Sequence, residues 1–87
     1  MDVIRIKSVV FDDHYNMVTQ FEDGQIRLIN LSEDLQLPIF QPLRDLAFFK
    51  QGRISEDKLF IAWPNGADTS WFAILNDGVP ISQLKAA

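Results

Sequence analysis

Apolar and polar residues alternate through positions 3–11, which puts Ile4, Ile6 and Val10 on one face of a first strand. Asp12-Asp13-His14 breaks that pattern with three polar residues of the kind that make turns. Alternation resumes over 15–21 and again over 25–30, on either side of Asp23-Gly24. Asp-Gly between two such runs favours a two-residue hairpin turn, because both central residues tolerate positive φ. That turn sets Phe21 opposite Ile26, Thr19 opposite Leu28, Val18 opposite Ile29 and Gln20 opposite Arg27. Tyr15, Met17, Thr19, Phe21, Ile26 and Leu28 then share the buried face.

Past residue 30 the period lengthens. Leu31-Ser32-Glu33-Asp34-Leu35 reads as one helical turn capped by Ser32, its two acids at the positive end of the dipole. Pro38 and Pro42 bracket Ile39-Phe40-Gln41 and are expected to hold it extended. Asp45 caps a short helix over 46–50, with Leu46 and Phe49 pointing inward and Gly52 ending it. Runs 53–55 and 59–63 flank a reversal at Glu56-Asp57-Lys58. The segment Trp63-Pro64-Asn65-Gly66-Ala67-Asp68 is dense with signals: Pro64 stops a strand and Asn65-Gly66 turns the chain. Asp68 is placed to cap a helix that runs to about Leu75 and ends at Asn76-Asp77-Gly78. Residues 79–87 carry Val79, Ile81 and Leu84 and read as an edge strand or short helix. The elements add up to an α+β fold: a small antiparallel sheet of about three to five strands with two short helices packed on it.

With 87 residues the chain has room for one domain, 1–87, and 47% hydrophobic residues with seven Phe are enough to fill its core. No stretch reaches the roughly 18 apolar residues of a membrane span, and residues 1–5 lack the apolar core of a signal peptide. A cytoplasmic location is the expectation. The absence of cysteine excludes disulfides and thiolate chemistry. A net charge of −4 argues against direct binding to nucleic acid. A basic face would have to be gathered from the scattered Arg5, Lys7, Arg27, Arg53 and Lys58.

Phe21-x-Asp23-Gly24, Leu31-Ser32, the run Pro38-Ile39-Phe40-x-Pro42-Leu43-Arg44-Asp45, Phe49, and Trp63 to Asp68 follow one another in an order that resembles a single family. It is the small bacterial family catalogued as domain of unknown function 2442, and the likeness spans about residues 6–75. The resemblance implies an α+β domain on a small antiparallel sheet. It also implies a partner: some members resemble companions of short toxin-like proteins, and others are fused to a helix-turn-helix DNA-binding domain. Many relatives place Asp where this chain has Asn30.

Few residues suggest chemistry. His14 with Asp12 or Asp13 is one arrangement that suggests catalysis or metal binding, but a polar turn between two strands explains it better. Asn65, Asp68, Thr69 and Ser70 cluster, yet the acids calcium needs are not spaced around that loop. Glu33 and Asp34 with Asp45 would make an acid pair, but they suit a solvated first turn. The serines lack a nucleophile setting and the glycines lie at separate turns. The expectation is therefore no enzyme and no cofactor or metal. Trp71 and Phe72 lie about 100° apart on one helix, so one sheet face cannot bury both. With Ile81 and Leu84 they form the candidate interaction surface, for a protein partner or a second copy in a two-fold dimer. The functional expectation is a non-catalytic protein-interaction module, antitoxin-like in the sense the resemblance implies. The alternative is a regulator tied to nucleic acid or a DNA-binding partner, and a small-molecule or metal-binding protein comes last.

Overall fold

A computed structural model describes residues 2–81. The chain begins with a meander of β1 (Ile6–Phe11), β2 (Asn16–Phe21) and β3 (Ile26–Asn30). Two 3-10 segments follow, Asp34–Gln36 and Pro38–Arg44, and then the short helix α1 (Leu46–Phe49). Next come β4 (Arg53–Ile54), β5 (Phe60–Ala62), β6 (Asp68–Ser70), helix α2 (Trp71–Asp77) and β7 (Val79–Pro80). One sheet has the strand order β1-β2-β3-β7 and the other β4-β5-β6. All pairings are antiparallel, so the α+β architecture read from the sequence holds.

Both strands of the first hairpin form, but in a register shifted by one. The Phe21 N–H donates to the Gln25 carbonyl at 2.8 Å and the Gly24 N–H to the Phe21 carbonyl at 3.0 Å. That closes a three-residue loop in which Gly24, at φ 93°, is the residue with positive φ. Val18 consequently faces Leu28, Met17 faces Ile29 and Gln20 faces Ile26. Ile29 rather than Leu28 packs on the core. Another correction concerns β1, where Ile6 pairs with Phe21 but Ser8 already pairs with Gln20. This bulge reverses the alternation after Lys7. Val9 and Phe11 pack inward, while Val10 leaves the face of Ile6 and is 54% exposed.

Further along, Ser32 does not cap a helix. The Asn30 side-chain oxygen takes the Ser32 N–H at 2.9 Å, and the 3-10 segment starts at Asp34 without a side-chain cap. Residues 38–44 are not extended either. Pro38 keeps Leu37 in the β region and then opens the segment at its first position. A proline's φ suits the 3-10 conformation, so Pro42 costs that segment only the hydrogen bond its nitrogen lacks. Asp45 does cap α1, taking the Ala47 N–H at 3.0 Å. Asp68 does not cap α2: it pairs with Ala62 as the first residue of β6. The hairpin keeps pairing to Ser70, whose hydroxyl takes the Ala73 N–H at 3.1 Å and starts the helix there.

The core lies between the inner face of the larger sheet and the segments that follow it. Ile6, Met17, Phe21, Leu43, Phe49, Ile61 and Ile74 are fully buried there. Trp63 stacks on Phe49 at a centroid distance of 6.4 Å, and its indole N–H donates to the Phe49 carbonyl at 2.7 Å. Phe11 meets Phe49 edge-on at 5.0 Å. Gly52 lets those rings close up, since a Cβ there would lie 2.7 Å from Phe11 and 2.8 Å from Trp63.

Candidate functional site

The polar groups singled out by type are engaged in shaping loops. One Asp12 carboxylate oxygen takes the His14 N–H at 2.8 Å and the Asn16 N–H at 3.0 Å, and the other takes the Asn16 amide at 2.9 Å. Burial pushes the Asp12 carboxyl up, but these hydrogen bonds and the nearby His14 outweigh it and hold the group below its ordinary value. Asp13 turns away to pair with Lys50. Asn65 reaches back to the Ile39 carbonyl at 2.8 Å, tying its turn to the 3-10 segment. Asn30 donates its amide to the His14 carbonyl at 2.9 Å and to the Asn16 side chain at 2.8 Å. An ionised carboxylate in its place would have no proton for either bond. Among the described residues no three His, Cys, Asp or Glu side chains gather as a metal site. Nor is any helix among them long and apolar enough to cross a membrane.

The scattered cations are drawn in different directions. Arg27 donates to Gln25 at 2.6 Å, and Lys58 lies 3.7 Å from Glu22.

Four residues were expected to share one interaction surface, and those within residues 2–81 fall on two. Trp71 and Phe72 meet edge-on at 5.8 Å and, with Ile4 and Leu75, line a shallow cleft. Trp71 is half-buried against the core, whereas Phe72 is 50% exposed. Ile81 belongs elsewhere: its N–H donates to the Ile26 carbonyl at 3.1 Å and continues the β3–β7 register. Its side chain therefore lies on the outer face of the larger sheet, the face turned from the core. Leu84 and the rest of 82–87 lie outside the described residues.

That outer face gathers residues that the sequence pattern assigns to separate places. Val10 pairs with Val18, Val18 with Leu28, and Leu28 with Val79, so one apolar row crosses all four strands. Its two ends are open, Val10 at 54% and Val79 at 60% exposure, and Val18 and Leu28 between them are half-buried. Finding the row requires both the bulge at Lys7 and the three-residue loop at Gly24. The signal for the latter was the five-residue stretch Phe21-Glu22-Asp23-Gly24-Gln25, which also fits a loop with glycine at its left-handed position.

A second cleft, separate from the one beside Phe72, is lined by Leu28, Val79, Glu33, Asp34 and Asp77. Burial, with the charges of Glu33 and Asp77, pushes the Asp34 carboxyl above its ordinary value.

A family model described as a protein of unknown function, DUF2442, matches residues 6–80. No curated protein and no solved structure matches the chain significantly.

Proposed function

The chain belongs to the DUF2442 family, and from that premise we propose that it is a non-catalytic protein-interaction module of the cytoplasm. The observation that carries this reading is the apolar row Val10–Val18–Leu28–Val79 on the outer sheet face, exposed at its two ends among the described residues. Isolated exposed apolar residues are ordinary, but a row that crosses a whole sheet marks a binding surface. Phe72 over its shallow cleft adds a second apolar contact. The engagement of Asp12, Asp13, Asn65 and Ser70 in turns, ion pairs and caps supports the non-catalytic part. The partner is a small protein of the toxin-like kind that family resemblance implies, held in an inactive complex as an antitoxin holds its target.

The test is recovery of the tagged chain from its native host with the bound protein identified by mass spectrometry. Reconstitution from the two purified proteins follows. A defined complex by sedimentation is the expected result. A chain that stays free when mixed with each protein recovered would overturn the reading.

A further inference from the structure

We propose that the outer face of the β1-β2-β3-β7 sheet is the docking site for a basic amphipathic helix of the partner protein, an assignment that rests on the interaction reading above. Four strands at about 4.8 Å spacing make the apolar row roughly 15 Å wide, the length of about ten helical residues. A helix laid on a sheet face is the ordinary way an α+β layer covers such a row.

The edge of β7 is a poor alternative. Leu28 pairs with Val79 and Ile26 accepts from Ile81, so Pro80 is the residue whose backbone faces outward. Proline has no N–H, and an incoming strand would find no donor at that position. Docking on the face avoids this.

Charge selects the occupant. The cleft that contains Leu28 and Val79 is lined by Glu33, Asp34 and Asp77 and by no basic residue. Lys or Arg at one end of the docked helix would relieve the repulsion those carboxylates exert on one another. A second copy of this chain, itself at −4, would bring more negative charge to the same place.

The test uses the full chain, labelled with nitrogen-15. It is titrated with a Leu/Lys amphipathic helix peptide of about 14 residues and with the Leu/Glu counterpart. Saturable shift changes at Val10, Val18, Leu28 and Val79 are expected with the Leu/Lys peptide alone. Affinity is expected to fall about tenfold in Asp34→Asn/Asp77→Asn and in Val10→Ser/Val79→Ser. Both pairs alter exposed or half-exposed positions, and a melting curve on each establishes that the fold is retained. Equal binding of the two peptides, no change at the four positions, or unaltered affinity in the variants would overturn the assignment. So would a peptide-free dimer joined through Val79, which makes the occupant a second copy. Binding seen only in full-length Leu84→Ser would overturn it too, since residues 82–87 would then be the occupant. If a reconstituted partner complex survives Val10→Ser/Val79→Ser, the interaction reading stands and only this face is excluded.

Discussion

Three loops use one local design. Asp23, Asp57 and Asn65 each take the N–H two residues on, from Gln25 at 3.1 Å, Leu59 at 3.0 Å and Ala67 at 3.2 Å. The residue between takes positive φ: Gly24 at 93°, Lys58 at 64° and Gly66 at 91°. Lys58 is the exception in type, since its Cβ crowds its own backbone in that conformation. Lys58→Gly is expected to stabilise the protein by about 0.5–1 kcal/mol, less a few tenths for the exposed Glu22 pair, read from denaturant midpoints. Thr19 offers a second test. It is fully buried, and its hydroxyl has no hydrogen-bond partner among the described residues. Thr19→Val removes that hydroxyl with little change of shape and should add about 1 kcal/mol. For a domain of this size that corresponds to a melting point higher by about 4–8 °C.

At the scale of elements, the start of α2 separates two caps by experiment. Ser70→Ala should cost about 1 kcal/mol. Asp68→Ala, at an exposed strand position, should stay within about 0.5 kcal/mol, and paired thermal melts compare them. Gly52→Ala should cost about 1–3 kcal/mol, because the new methyl meets the Phe11 and Trp63 rings rather than open space. The elements that could be read from the chain were those whose cause is local. Asp45 before Leu46, Gly78 after Asp77, and Pro64 after Trp63 each act within a few residues. What could not be read was register, and pairing beyond the expected hairpins. Asp68–Ser70 resembles a helix entrance until Phe60–Ala62 is known to lie beside it. The same holds for the candidate surface: Phe72 was legible from helical geometry, whereas the row from Val10 to Val79 exists only once four strands are in register.

For the whole molecule the carboxylates set the response to acid. Hydrogen bonds from Gln25 hold Asp23 below its ordinary value, and those from Ser55 and Leu59 do the same for Asp57. Asp12 is lowered as well. A carboxyl with a depressed folded pKa contributes stability above its unfolded value and loses it as pH falls through the folded one. Asp34 has the opposite sign. Its raised folded pKa gives stability that is present below the unfolded value and lost as pH rises through the folded one. Melting points should therefore rise slightly as pH drops from neutral towards the carboxylate range and fall below it. In Asp34→Asn the initial rise should disappear, with a higher melting point at pH 7; a scan of melting temperature against pH checks both.

The bulge in β1 has a consequence for chain length. Lys7 is the extra residue between Ile6, opposite Phe21, and Ser8, opposite Gln20. Deleting it leaves every remaining partner in place and turns an irregular strand into a regular one. Deleting Val9 instead draws Lys7 and Ser8 into the regular ladder and sets Ser8 opposite Thr19, in the place of a valine packed on the core. Both shortened proteins should keep a cooperative melt, with the one lacking Val9 at the lower temperature because it loses a core contact. At this point the fold can change length by one residue and keep its pairing.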